Sequence, residues 1–236
     1  MLAPSVRHLE FARDDGQPLD FIPGQFIQVH FQYPDGTATK RSYSLATMHD
    51  RALGPGEAVE IAVSYVPGGA ATALFQALDE GQQIQASGPY GRFCLMPADE
   101  NRRYLLVATG TGVTPYRAML PKLAELIAGR GIEVVLLFGC RRPEEQLYGE
   151  DFRAFAAAQP RFRYITCFSR EQPAQPGPDE RAGHVQDLLP ELAPDAEGDI
   201  AYLCGNPDMV DAMFAALKDA GLPVPRIRRE KYVSSK

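Results

Sequence analysis

Tyr104-Leu105-Leu106-Val107-Ala108-Thr109-Gly110-Thr111-Gly112-Val113-Thr114-Pro115 is the stretch that decides the architecture of this chain. Its first five residues are a continuous apolar run, the pattern of a strand covered on both faces. A glycine turn follows, and a helical pattern then runs from about Thr114 to Ala128. Strand, glycine turn and helix in that order form the place where a dinucleotide-binding fold holds a pyrophosphate. Bare glycine backbone lets a ligand come close, and the free N–H groups of the helix start favour negative charge. Pro115 stands where the usual fingerprint has its third glycine; in the first helical turn its missing N–H costs nothing.

The same rhythm continues downstream. Ile132–Phe138 reads as a second buried strand, residues 148–158 as a helix, Phe162–Phe168 as a strand and Val185–Leu189 as a short helix. Ile200–Cys204 then reads as a strand, Pro207–Ala220 as a helix, and Arg226–Lys236 as a last strand with a short extension. This alternation predicts an α/β domain with a five-stranded parallel sheet covered on both sides. Pro121 should kink or shorten the first helix. Glu171–Arg181, rich in proline and charge, is expected to be disordered.

Upstream the chain changes character. Val6–Phe11, Phe26–Phe31, Val59–Tyr65 and Gln83–Ala86 are short strand patterns punctuated by proline and glycine, with one helix at Ala71–Leu78. They predict a small antiparallel barrel or sandwich. The polar run Ala98–Arg102 reads as a linker, dividing the chain into domains at residues 1–97 and 102–236.

Composition narrows the field. The chain has 236 residues and a net charge of -6, which argues against general nucleic-acid binding. No apolar run is long enough to span a bilayer, and the first residues lack the apolar core of a signal peptide. Cys94, Cys140, Cys167 and Cys204 are too far apart for a metal or iron–sulfur spacing. Three of them end apolar runs, as buried thiols do, which fits a cytoplasmic protein.

Three further stretches carry chemistry. In Thr39-Lys40-Arg41-Ser42-Tyr43-Ser44-Leu45-Ala46, strand alternation puts Arg41 and Tyr43 on one face and Ser42 and Ser44 on the other. An Arg beside a Tyr suits a ligand with a phosphate and a flat ring, although alone it reads equally as an ordinary strand surface. Val66-Pro67-Gly68-Gly69-Ala70-Ala71-Thr72 joins a strand to a helix and offers bare backbone; alone it is a plain glycine turn. Cys204-Gly205-Asn206-Pro207-Asp208-Met209 lies at a strand end before a helix, where open α/β sheets gather ligands.

Taken in order, with Gly88-Pro89-Tyr90-Gly91-Arg92-Phe93 closing the barrel, these motifs resemble the ferredoxin–NADP(+) reductase family of flavoproteins across nearly the whole chain. The resemblance implies an FAD-binding barrel followed by a nicotinamide-nucleotide domain, with the flavin at the cleft. It implies that Arg41 holds the flavin diphosphate, Tyr43 stacks on the ring system, and Ser44 hydrogen-bonds near N5. Ser42, Val66, Gly69 and Thr72 complete the FAD site. Gly110, Thr111 and Gly112 take the pyridine-nucleotide pyrophosphate, while Cys204 and Gly205 face the nicotinamide. Glu230 and Tyr232 match a Glu-x-Tyr at the chain end of plant-type relatives. Tyr232 would then lie on the flavin face opposite Tyr43, and Glu230 would act as a hydrogen-bonding or proton-relay carboxylate. For both Ser44 and Tyr43 to reach the flavin, the strand should end or bend at Ser44.

Arg141, Ser169 and Arg170 follow the second and third buried strands, where the family reads the adenosine ribose. They favour NADPH over NADH, although Ser-Arg also occurs in NADH-using relatives. Relatives have a strand before the one at Val6–Phe11, so the barrel is expected to lack its usual first strand and to show an open edge. No fused ferredoxin domain is expected, so the acceptor is a separate small carrier, ferredoxin or flavodoxin, served by a monomer without nucleic acid or membrane. The alternatives are an NAD(P)H–flavin reductase or oxygenase reductase component, and a non-enzymatic flavin-binding redox sensor or subunit. Arg226, Arg228, Arg229 and Lys231 read either as a docking patch for an acidic carrier or as a solvated face.

Overall fold

In the computed structural model, which describes residues 1–233, the first half of the chain holds five strands and one helix. They are β1 (Val6–Ala12), β2 (Phe26–Gln32), β3 (Ala38–Ser44), β4 (Ala58–Ser64), α1 (Ala70–Gln76) and β5 (Gln85–Tyr90). β1 pairs antiparallel with β4, and β2 is flanked antiparallel by β3 and β5. A bridge between Leu45 and Ile61 joins the two sheets along one seam. Every second residue points inward, so Leu9, Ile27, Val29, Ile61 and Val63 meet Leu45 and Phe75 in one apolar core. The result is barrel-like, but among the described residues no pairing between β1 and β5 closes the other seam. β5 begins two residues later than Gln83 and runs through Pro89. An edge strand tolerates a proline because its outer N–H has no ladder partner.

The second half holds β6 (Arg103–Thr109), α2 (Thr114–Arg130), β7 (Glu133–Cys140), α3 (Gly149–Ala158), β8 (Phe162–Phe168) and β9 (Glu180–Ala182). It ends with α4 (Leu189–Leu192), β10 (Asp199–Gly205), α5 (Pro207–Asp219) and β11 (Ile227–Lys231). The sheet is wholly parallel, in the order β11-β10-β6-β7-β8-β9. It therefore has six strands, not five. The additional strand, β9, ends the stretch expected to be disordered. Its three residues are too few to print an apolar period, yet they pair with Thr166, Cys167 and Phe168 of β8. The loop before it is tied down by Arg163, whose Nε donates to Asp179 at 2.9 Å.

One face of the sheet packs Leu106, Leu136 and Tyr202 against Met119 and Leu123 of α2 and Phe152 of α3. The other packs Val107, Leu137, Ile165 and Leu203 against Val210 and Met213 of α5. Strands covered on both faces are what the continuous apolar runs require. α2 continues through Pro121 for 17 residues and stops at Gly131, which caps it in the left-handed region at φ 65°. The buried neighbours Met119, Leu120 and Leu123 hold the helix together across the missing N–H.

Arg117 on α2 fastens the two halves. Its guanidinium donates to Asp151 on α3 at 2.6 Å, to the Ala46 carbonyl at 2.7 Å, and to Glu60 on β4. It also lies 4.9 Å above the Tyr148 ring, whose hydroxyl meets His8 Nδ1 of β1 at 3.0 Å.

The cations of the last strand are all engaged within the fold. Arg228 pairs with buried Asp99 and stacks on Tyr202 at 4.9 Å. Burial pushes the Asp99 carboxyl up, but the Arg228 and Tyr104 donors outweigh it and leave it below its ordinary value. Lys231 meets Asp211 at 2.7 Å, Arg229 lies 3.8 Å over Phe214, and Arg226 donates to the Glu100 and Asp199 carbonyls. No helix among the described residues is long and apolar enough to cross a membrane, and no His, Cys, Asp or Glu cluster among them has a metal-binding arrangement.

Candidate functional site

β3 ends at Ser44, and Leu45 turns inward to bridge Ile61. That ending opens a cavity of about 590 Å³ at the strand's edge, walled by Arg41, Ser42, Tyr43 and Ser44. The loop between β4 and α1 supplies Val66, Gly69 and Thr72. The end of β11 supplies Glu230 and Lys231, with Tyr232 just beyond it, and the start of α2 reaches across with Thr111 and Thr114. All eight residues expected around FAD thus share one cavity.

The local chemistry is specific. Arg41 donates to the Tyr33 hydroxyl at 2.7 Å and to Thr39 Oγ1 at 3.0 Å, which aims its guanidinium along the strand edge. Tyr43 packs edge-on against Phe75, with centroids 5.3 Å apart, and burial pushes its phenol up to about 12, so it stays neutral. The Val66 N–H donates to Thr72 Oγ1 at 2.8 Å and closes the glycine loop. A Cβ at Gly69 would stand 3.1 Å from the Val66 carbonyl, so glycine keeps this loop tight and its backbone bare.

Ser44 and Tyr232 join hydroxyl to hydroxyl. Cys204 is fully buried, and burial pushes its thiol well above its ordinary range. Cys204 lines neither cavity, although it was expected to face the nicotinamide. Glu230 pairs in register with Cys204, and burial raises its carboxyl to about 7. Thr114 is 1% exposed, and its Oγ1 has no hydrogen-bond partner among the described residues although it stands on the cavity wall. A buried hydroxyl without a partner is costly, and a ligand in the cavity would supply one.

A second cavity of about 690 Å³ opens at the carboxyl ends of the parallel strands, where ligands of such sheets bind. Gly110, Thr111, Arg141, Ser169 and Gly205 line it, as expected. Gly112 does not; a Cβ there would lie 2.4 Å from the Cys204 carbonyl, so this glycine lets α2 pack on β10. Arg170 is also off the wall, its N–H donating to the Arg141 carbonyl at 3.0 Å. Gly205 sits at φ 126°, and a side chain there would strike the Thr109 carbonyl. Asn206 accepts from the Asp208 N–H at 2.8 Å and caps α5. The two cavities share Ser64, Thr111 and Tyr232 on their walls, so they lie side by side with these three residues between them.

Residues 1–94 match the family described as the oxidoreductase FAD-binding domain, and residues 106–214 the oxidoreductase NAD-binding domain. The chain is 36% identical to ferredoxin--NADP reductase B of Sorangium cellulosum, over 98% of this chain and 93% of that one. The chain belongs to the ferredoxin–NADP(+) reductase family. It is an FAD- and NAD-domain oxidoreductase of that type. It is also 34% identical to the reductase subunit of an aromatic O-demethylase from Amycolatopsis sp., over 92% of this chain but only 62% of that protein. A crystal structure of an Amycolatopsis cytochrome P450 reductase superposes with a TM-score of 0.82 at 31% identity, over 98% of this chain and 66% of that chain.

The donor set fits the groups that the family binds. The first cavity offers a cation, a neutral phenol, bare loop backbone and an unpaired buried hydroxyl. The second lies at a glycine turn before a helix. Thr114 and Glu145, which lines the second cavity beside Arg141, escaped the sequence reading. Thr114 lay inside the glycine-turn motif, but only the packing of α2 against the barrel turns it toward the first cavity. Glu145 sits in a charged loop with no period to mark it.

Proposed function

We propose that the chain oxidises NADPH and delivers the electrons singly to a small one-electron carrier, ferredoxin or flavodoxin. The observation that carries this reading is that Tyr232 stands on the walls of both cavities, at the boundary between them. When bound, FAD accepts two reducing equivalents from the nicotinamide and releases them one at a time. Arg41 and the Val66–Thr72 loop would hold the diphosphate, Tyr43 would support the ring system, and Ser44 and Thr114 would offer hydroxyls to its polar edge. Gly110, Thr111 and Gly205 would admit the nucleotide, with Arg141, Ser169 and Arg170 grouped at the adenosine end. Tyr232 stands between the two cavities, so its ring must swing aside for a nicotinamide to reach the flavin wall. Glu230 sits beside that opening with a carboxyl that titrates near neutrality, fit to hold or pass a proton there.

The name of the Amycolatopsis relative favours a second reading, a reductase that serves an oxygenase. Flavin retention and acceptor choice separate the readings. Purified protein should carry FAD through gel filtration and reduce ferredoxin or flavodoxin in stoichiometric amounts with NADPH. Efficient transfer only to an oxygenase partner would favour the second reading. Loss of flavin on purification, with free flavin consumed as substrate, would mark a flavin reductase instead.

A further inference from the structure

The adenosine end of the second cavity holds an ion pair that the family resemblance does not require. β7 lies beside β6, the strand that leads into the glycine turn, and Arg141 is the first residue after β7. In dinucleotide-binding sheets the ribose end is read by either of two groups: a carboxylate that accepts from the ribose diol, or an arginine that accommodates a 2′-phosphate. This chain sets both side by side. Arg141 Nε donates to Glu145 Oε2 at 2.9 Å, and a terminal nitrogen lies 2.6 Å from Oε1. The backbone N–H of Arg141 donates to the same carboxylate at 3.1 Å. The side-on edge of the guanidinium, one of the two that could grip a phosphate bidentately, is thus already filled. Burial pushes the Glu145 carboxyl up, but the Arg141 donors outweigh it, so it stays charged at neutral pH. Arg142 stands 3.8 Å from both Glu144 and Glu171, while Arg170 has no carboxylate partner among the described residues.

We infer that Glu145 sets the nucleotide preference by occupying Arg141. A 2′-phosphate must displace a carboxylate from the guanidinium and then sit beside its negative charge. A ribose diol meets no such competition and finds an acceptor in Glu145. The chain therefore takes NADH as well as NADPH, with the preference for NADPH held low by this one carboxylate. The inference rests on the reading of the second cavity as the nicotinamide-nucleotide site.

Calorimetric titration of the flavin-loaded protein with 5′-AMP and 2′,5′-ADP tests it without turnover. The fragments should bind the wild-type protein with affinities within about tenfold of each other. Glu145→Gln keeps an oxygen for the Arg141 N–H and removes the charge. It should tighten 2′,5′-ADP by about tenfold and leave 5′-AMP equal or slightly weaker. Adding Arg141→Gln should abolish the gain. An unchanged ratio in Glu145→Gln, with both fragments binding and the melting temperature unmoved, would overturn the role of Glu145 alone. Failure of either fragment to bind the wild-type protein would overturn the reading of the cavity, and this inference with it.

Discussion

The two cavities share a wall but leave their polar groups in different states. In the first, Thr114 Oγ1 is buried without a partner, and Glu230 has no ion-pair partner among the described residues, burial alone raising its carboxyl to about 7. In the second, Arg141 is paired with Glu145, and Asn206 is spent capping α5. Unmet groups favour an occupant that stays, because its departure exposes their cost. Charges already paired favour an occupant that comes and goes, because nothing is left stranded when it leaves. The contrast matches a resident flavin on one side and an exchanging nucleotide on the other.

The largest expected effect breaks the contrast at its resident side. Arg41→Ala should lower FAD affinity about a hundredfold, the scale of a lost charge-assisted phosphate contact. It should be visible as colourless protein after gel filtration, and full flavin occupancy would remove Arg41 from the site.

Next comes Glu230. Its folded-state carboxyl sits at about 7, above the ordinary 4.5. Between those values the native protein keeps a proton that the unfolded chain has lost, so its contribution to stability falls as pH rises through that window and the full cost is present above about pH 7. Glu230→Gln removes this cost and should stabilise the protein by at most about 3 kcal/mol at about pH 8, with no gain below about pH 4.5. Urea midpoints across that range check it; an equal gain at every pH would contradict the burial of the carboxyl.

Arg117→Ala tests whether the shared wall depends on the join between the halves. Glu60 and Asp151 would lose a half-buried partner, at a cost of about 2 kcal/mol, and the melting temperature should fall by about 4–8 °C. Flavin should also leave faster, because Thr114 stands on the helix that Arg117 pins, with Thr111 on the turn that leads into it. The smallest effect is Thr114→Val, which should weaken FAD a few-fold and shift its absorbance band while Thr114→Ser does neither. Identical spectra for all three would mean that the hydroxyl faces no ligand.

Much of this was legible in the sequence because its signals are local. The apolar run Tyr104–Ala108 marks a doubly covered strand wherever it occurs, and the glycines after it mark a close approach. The tetrad Arg41–Ser44 fixed even the end of its strand, since a ring and a hydroxyl of opposite alternation had to meet one ligand. What stayed hidden depends on distant partners. β9 is three residues that exist as a strand only against β8. The basic run at the chain end read as a free surface until Asp99, Asp211 and Phe214 came to meet it. Cys204 read as facing the nicotinamide, yet it is fully buried and lines neither cavity. Glu145 shows its role only once Arg141 is seen folded onto it.

If the two cavities act as one redox cleft gated by Tyr232, a nicotinamide bound in the second must reach the flavin in the first. Anaerobic addition of NADPH, and separately of NADH, to the purified FAD-bearing protein tests it most directly. Both nucleotides should bleach the flavin band, NADPH at the lower concentration by a modest margin. An absorbance that neither nucleotide changes, in protein that retains its flavin, would contradict it.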